Sequence, residues 1–382
     1  MNFNAIICEY NPFHNGHKYH IHSVKAQNPA PTAVIMSGDF TQRGDISVTD
    51  KFKRAKTAVE NGADLVVELP TVYALGSAET FARGGVKIAE GMGCIRNLCF
   101  GAETDDKAML IKTAEAFETE GFKSSLKEYM DQGCYYPQAV EMAMGDISQQ
   151  LAKVVKSPNN ILAVEYIKQS VSLDFIVTKR TGADHDSDSG DDNIRSASQI
   201  RKMLLGGEDV SPFTPSVIEY PASADKLEKV ILYKLRSMTA EDFARLPDIA
   251  EGLENRFVQA VKASVSVDEI LEKVKTKRYT MARLRRIVFC ALLGISAEMS
   301  KYDPPYIRVL AFNKYGAEIM REIKNHGKIP MITNVADGYN NLDEKAKRIF
   351  DVDIRAGDIH SLATDKIKPC ARDFTEKIFV MK

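Results

Sequence analysis

Short apolar runs alternate with amphipathic stretches through the first hundred residues. Residues 4–8 form an apolar run that ends in a turn, which predicts a strand. A helix is predicted over 16–25, then a second strand over 33–36 and a glycine-containing loop. Asp50 can cap a helix that carries Phe52, Ala55, Ala58 and Val59 on one face. The run Asp64-Leu65-Val66-Val67-Glu68-Leu69 predicts a third strand, stopped by Pro70. A helix over 77–90 and a fourth strand over 95–100 follow. This alternation predicts an α/β fold built on a Rossmann-like, doubly wound parallel sheet.

Farther along, 105–170 reads as mostly helical, 173–177 as a fifth strand and 196–205 as a helix. The polar stretch 182–192 carries Asp184, Asp186, Asp188, Asp191 and Asp192, which predicts a solvated loop. Pro212 and Pro215 suggest a boundary. Residues 220–300 are helix-rich, with another strand expected over 306–312 and a helix over 341–350. The expected organisation is an N-terminal α/β domain over 1–210 and a helix-rich α+β domain over 211–382.

Composition changes this picture in one respect. The chain of 382 residues is 44% hydrophobic and 27% charged, with a net charge of −1. It therefore lacks the global basic character of many nucleic-acid binders, and an RNA surface has to be a local patch. No DNA partner is expected. No apolar run is long enough for a membrane span, and a strand begins near residue 4 with no leader ahead of it, so a cytoplasmic protein is expected. The cysteines, Cys8, Cys94, Cys99, Cys134, Cys290 and Cys370, show no C-x-x-C spacing. They read as reduced thiols rather than a zinc site or a disulfide framework.

The densest chemistry lies where the first strand meets the first helix. His14-Asn15-Gly16-His17 is an H-x-G-H pattern. Imidazoles three residues apart share one helix face, and a helix N-terminus suits a phosphate. Gly16 would let the backbone approach a ligand closely. The turn therefore points to attack at the α-phosphate of a nucleoside triphosphate, with His14 and His17 as the catalytic pair. Ligands of open α/β sheets sit beyond the carboxyl ends of the strands. The loops to join this turn are those with Ser37, Gly38 and Asp39, with Gly101, with Arg180, and with Ser196, Ser198 and Arg201. His20 and His22 read as surface or supporting residues. Cys8 reads as packed rather than nucleophilic, because no base is evident nearby in sequence.

These residues carry a resemblance. The string Glu9-Tyr10-Asn11-Pro12-Phe13-His14-Asn15-Gly16-His17, with Met36-Ser37-Gly38-Asp39-Phe40-Thr41-Gln42-Arg43-Gly44, Phe100-Gly101-Ala102-Glu103 and Ser157-Pro158-Asn159-Asn160-Ile161-Leu162, resembles the bacterial tRNA(Met) cytidine acetate ligases of the HIGH-motif nucleotidyltransferases. The likeness runs from residue 1 to about 205 and resumes around Lys275-Thr276-Lys277-Arg278-Tyr279-Thr280. It implies activation of acetate by ATP as acetyl-adenylate, then acetylation of N4 of the wobble cytidine of elongator tRNA(Met). It implies ATP contacts at Ile7, Cys8, Glu9, Tyr10, Asn11, Pro12, Phe13, His14, Asn15, Gly16, His17, Lys18, Tyr19 and His20, and at Gly101, Asn160 and Arg180. Mg2+ is expected with the triphosphate, although no dedicated carboxylate cage for it is evident. The acidic stretch after Arg180 departs from the family's usual run, with His185 alone retained.

A second feature is the basic cluster over 273–286. Lys273, Lys275, Lys277, Arg278, Arg283, Arg285 and Arg286 crowd together around Tyr279. Thr280 can cap a helix whose apolar side is Leu284, Ile287, Val288, Ala291 and Leu292. Alone, the segment reads equally as a solvated helix face. Beside an ATP site it suggests phosphate contacts with tRNA through Lys275, Lys277, Arg278, Arg283, Arg285 and Arg286, with Tyr279 stacking on a base. A small-molecule adenylyltransferase, or a non-catalytic nucleotide-sensing RNA-binding protein, are the alternatives.

Overall fold

In a computed structural model, which describes residues 2–180, 193–250 and 252–382, the apolar runs assemble into one central sheet. Its strands are β1 (Phe3–Cys8), β2 (Thr32–Ser37), β5 (Leu65–Leu69), β6 (Ile95–Ala102), β7 (Asp174–Lys179), β8 (Ile307–Phe312), β9 (Met331–Ile332) and β10 (Phe379–Val380). The strands β3 (Phe40–Thr41) and β4 (Asp45–Ile46) form a separate small hairpin. The sheet order is β10-β8-β5-β2-β1-β6-β7, with β9 also on β8. From β5 to β7 every pairing is parallel. The chain leaves β1 for β2 on one side and later for β6 on the other. That reversal opens a crevice at the carboxyl end of β1.

Both faces of the sheet are covered. Alternate residues point to opposite faces of a strand. Ile6, Val34, Met36 and Val66 pack with Ile21, Val24, Ala55, Ala58 and Val59 from helices Asn15–Gln27 and Lys51–Glu60. On the other face, Ala5, Ile7, Ile35 and Val67 pack with Phe81, Val86 and Ala163 from helices Ala78–Gly91 and Pro158–Gln169. Asp50 caps its helix as expected, accepting from the Lys53 N–H, and Ser77 caps helix Ala78–Gly91, accepting from the Thr80 N–H.

The expected strand over 306–312 is β8, but it runs antiparallel to β5. A hydrophobic run predicts a strand and not its direction, since direction depends on a distant partner. The sheet thus crosses the division expected at 210, because β8, β9 and β10 all come from the C-terminal part. A buried ionic cluster fastens the join. Lys51 Nζ lies 2.8 Å from Glu68 Oε1 and 2.7 Å from Asp373 Oδ1. Arg308 on β8 pairs with both carboxylates. Ions removed from water need partners of this kind, and removing one would strand the others.

The remaining C-terminal elements are helical. Helices Glu228–Arg236, Leu253–Lys262, Val267–Val274 and Met281–Leu293 bury Ile231, Phe257, Ile270, Leu284 and Ile287 together. Phe40 and Ile46 of the β3–β4 hairpin join the same core, with Phe40 5.3 Å from Phe289 ring to ring. The hairpin, expected only as a loop, is therefore shared between the sheet domain and the helical region. The acidic stretch 182–192, with His185, lies outside the described residues.

Candidate active site

The turn after β1 is built by its own side chains. His14 is the N-cap of helix Asn15–Gln27. Its Nδ1 accepts from the Gly16 N–H at 3.1 Å, while His17 Nδ1 accepts from the His14 N–H at 3.2 Å. The rings stack with centroids 3.7 Å apart. A reciprocal capping box normally uses a hydroxyl and a carboxylate. With Nδ1 accepting on each ring, the proton of each neutral imidazole sits on Nε2. Burial, then Arg180 and Arg201, pulls the His14 pKa down to about 4, and burial also pulls His17 well below the usual range. Two neutral N–H donors are thus fixed side by side before any ligand arrives.

This geometry corrects one expectation and redefines another. The first helical N–H groups are not free for phosphate. Asn15 donates to the Phe213 carbonyl, Gly16 to His14 Nδ1, and His17 to the His14 carbonyl. In their place the turn presents the Nε2–H groups of the two imidazoles, whose Nδ1 atoms are taken by the backbone. Gly16 is needed for a nearer reason than ligand approach. A Cβ there would lie 2.9 Å from His14 Cε1, so the glycine makes room for the capping ring.

Aromatic and backbone contacts hold the pair. Tyr10, at φ 49, packs edge-on against Phe13 and lies 4.7 Å from the His17 ring. Asn11 clasps the hairpin, with Oδ1 accepting from the Val48 N–H at 2.8 Å. Asn15 Nδ2 donates to the carbonyls of Asn193 and Pro212, both at 2.9 Å. Thr214 Oγ1 donates to the Phe13 carbonyl. This clamp from 193–214 had no signal in the sequence beyond its polar character.

Two arginines face the histidines. Arg201 Nη1 donates to the Asn11 carbonyl at 2.8 Å. Arg180 is exposed, and among the described residues its guanidinium has no hydrogen-bond or ion-pair partner. Its stem crosses Gly101, where a Cβ would lie 3.2 Å from Arg180 Cγ. Ser196 caps helix Ala197–Leu205 with Gln199, and Ser196 Oγ lies 3.1 Å from Ser198 Oγ at the same helix start. His20 is half-buried, and its buried Nε2 has no hydrogen-bond partner among the described residues. Lys18 and Tyr19 point to solvent, and Ile7 and Phe13 are core residues. Burial pushes the Cys8 thiol well above its ordinary range, which opposes a nucleophilic role.

Other candidates turn inward. Ser37 and Asp39 are fully buried, and Gly38 packs on Glu68, where a Cβ would lie 2.6 Å from Oε1. Asp39 Oδ1 accepts from the Lys51 N–H at 2.8 Å, and Arg54 donates to the carbonyls of Ser37 and Gly38. They brace the crevice floor. Asn160 is also structural in its contacts, its Oδ1 accepting from the N–H groups of Glu103 and Thr104 at 2.9 and 3.3 Å. It shapes the loop after β6 beside Gly101.

The basic segment divides. Lys275, Lys277, Arg278 and Arg285 are exposed. Arg283 donates to the Asp248 carbonyl and lies 5.0 Å over the Tyr279 ring, so that ring is half-buried and already occupied. Arg286 is buried and paired with Asp248 Oδ2 at 2.9 Å. Arg286 is not open to RNA as expected, because the distant Asp248 and Gln42 engage it, and one face of Tyr279 is covered by Arg283 from the next turn.

A crevice at the switch point of a parallel sheet, floored by paired imidazoles, defines a nucleotidyltransferase of the HIGH type, and residues 1–374 match the family model described as HIGH Nucleotidyl Transferase. Among curated proteins, the tRNA(Met) cytidine acetate ligase of a Thermoanaerobacter species is 36% identical over 398 residues, covering 98% of each chain. That of Acetivibrio thermocellus is 33% identical over 411 residues, covering 99% of each. The crystal structure of Thermotoga maritima TmcAL bound with alpha-thio ATP aligns with a TM-score of 0.91 at 28% identity, covering 100% of this chain and 99% of that one. The chain belongs to the tRNA(Met) cytidine acetate ligase family of HIGH nucleotidyltransferases.

Proposed function

We propose that this protein uses ATP to activate acetate and then acetylates N4 of the wobble cytidine of elongator tRNA(Met). The observation that carries this reading is the pair of neutral, pre-oriented imidazoles at the carboxyl end of β1, in a chain that matches the named ligases over its full length. An acetate oxygen attacks the α-phosphorus, the Pα–O bond to the β-phosphate breaks, and pyrophosphate leaves. Charge grows on the phosphoryl oxygens during attack. Nε2–H of His14 and of His17, with the Arg180 guanidinium, stabilise it without having to reorganise. The cytidine amine then attacks the acetyl carbon, loses a proton and displaces AMP.

No group of three or more His, Cys, Asp or Glu that could hold a metal occurs among the described residues. The carboxylate nearest the turn, Glu9, already accepts from the Gln42 N–H at 2.7 Å. The described residues thus assemble no carboxylate cage for Mg2+ around the turn. Lys275, Lys277, Arg278 and Arg285 form the exposed basic face offered to the tRNA backbone. No helix of the described residues is long and apolar enough to cross a membrane.

The test is nucleoside mass spectrometry of tRNA incubated with the protein, ATP and labelled acetate. Label in N4-acetylcytidine is expected. ATP turnover with unlabelled tRNA would favour a small-molecule adenylyltransferase instead.

A further inference from the structure

One chain of contacts joins the basic segment to the histidine turn. Gln42, between β3 and β4, donates its N–H to Glu9 Oε1 at 2.7 Å. The Gln42 carbonyl accepts from Arg286 Nη1 at 3.3 Å. Arg286 grips Asp248 Oδ2 through Nε at 3.2 Å and Nη2 at 2.9 Å. The Asp248 carbonyl accepts from Arg283 Nε at 2.9 Å, one turn earlier on the same helix. Asp248 sits at φ 61, a backbone region that non-glycine residues seldom adopt. Such a conformation persists when surrounding contacts over-determine it, and here two guanidiniums do so.

The hairpin tip is fixed on the same helix. Gly44 has φ 69, and a Cβ there would lie 2.6 Å from the Arg286 backbone nitrogen. The tip therefore rests directly on the helix backbone, with Phe40 and Ile46 buried in the helical core on either side. A buried guanidinium is costly unless each donor is directed at a partner. Arg286 divides its donors between the helical region, through Asp248, and the hairpin, through Gln42.

We propose that Arg286 is a positioning residue for adenylate formation. It holds the hairpin so that Gln42 fixes Glu9, and Glu9 begins the turn that aims His14 and His17. This rests on the functional reading above and adds that the tRNA-facing element and the adenylate site share one part. A helix displaced at 281–286 moves the hairpin and, through it, the turn.

The experiment compares wild type with Arg286→Ala in the full chain. Hydrogen–deuterium exchange over 40–46 reads the latch itself, and acetate-driven exchange of labelled pyrophosphate into ATP reads its effect. Amide exchange over 40–46 should quicken about ten-fold or more. The kcat of pyrophosphate exchange should fall about 10–100-fold, as expected for misplacement of aligned groups. KM for ATP should change little, since the latch acts on alignment rather than ground-state binding. Arg286→Lys keeps the charge opposite Asp248 but cannot span both partners, so it should behave like the alanine variant in kcat while keeping the melting temperature. If Arg286→Ala does not fold, Arg286→Lys decides. Wild-type protection over 40–46, wild-type kcat, or a rise in KM alone would each overturn the proposal. Were wild type itself to show no acetate-driven exchange, the functional reading would fail while the hydrogen-exchange arm still decided the latch.

Discussion

The histidine turn and the basic segment over 273–286 carry the densest chemistry in the sequence, and the structure treats them in opposite ways. At the turn the partners are local. His14 and His17 bond to backbone groups within three residues, so a motif only four residues long contains most of its own geometry. In the basic segment the partners are remote. Asp248 and Gln42 claim Arg286, and the Asp248 carbonyl claims Arg283. A cluster of seven cations thus resolves into an exposed group, proposed above to meet RNA, and two arginines held by Asp248, of which the buried Arg286 also reaches the hairpin. Charge density in a sequence shows where cations are, but not which of them have been neutralised by residues far away in the chain.

The largest effect should come from the turn. His14→Ala and His17→Ala should each lower acetate-driven pyrophosphate exchange by about 10²–10³-fold, the usual effect of deleting one pre-oriented donor to a developing oxyanion. His14→Ala also removes the N-cap, worth about 1 kcal/mol, and His17→Ala the reciprocal bond from the His14 N–H. His14→Asn separates the two roles, because its side-chain oxygen can still accept from the Gly16 N–H. It should melt near wild type and still lack activity. Near wild-type exchange in both alanine variants would remove the imidazoles from the chemistry.

A smaller effect should come from the exposed half of the basic segment. Replacing Lys277, Arg278 and Arg285 together by glutamine should weaken tRNA binding by about ten-fold or more. It should lower the slope of log affinity against log salt by roughly 0.7–0.9 for each phosphate no longer neutralised. Arg286 stays in place, so pyrophosphate exchange without tRNA should survive. Normal tRNA affinity and slope in this variant would reduce the segment to a solvated face and move the RNA surface elsewhere.

The same contrast between local and remote explains what the sequence could reveal. The parallel strands from β5 to β7 were legible because each is a short, largely apolar run punctuated by turns, and β1, β2 and β5 are buried on both faces. The caps at Asp50 and Thr280 were legible because a cap bonds to its own helix. The direction of β8, the two-residue strands β9 and β10, and the burial of Ser37 and Asp39 were not, since each depends on contacts made far along the chain. At the turn, the motif located the histidines and the glycine at the start of the first helix. It did not reveal that the imidazoles themselves cap the helix, or that Gly16 serves a ring rather than a ligand.

The smallest effect, and the sharpest contrast, concerns pH. Burial and the neighbouring arginines hold His14 at about 4, and burial with Arg180 holds His20 there too, against an ordinary 6.5. Between those values the unfolded chain binds more protons than the folded one, so stability rises with pH across the window. The contribution is fully present above 6.5 and is lost as pH falls through 4. For His14 the loss between pH 6.5 and 5 should be about 1–2 kcal/mol. The segment over 273–286 contains no histidine. Thermal melts should therefore fall over this window in wild type and less steeply in His14→Asn, while tRNA affinity measured at temperatures where the protein stays folded should not follow the same curve. Pyrophosphate exchange should keep its rate below pH 6.5, because neutral donors persist until the depressed values are reached. An acid limb centred on 6.5 in the free enzyme would mean that the imidazoles face water more than their stacked, capped arrangement allows.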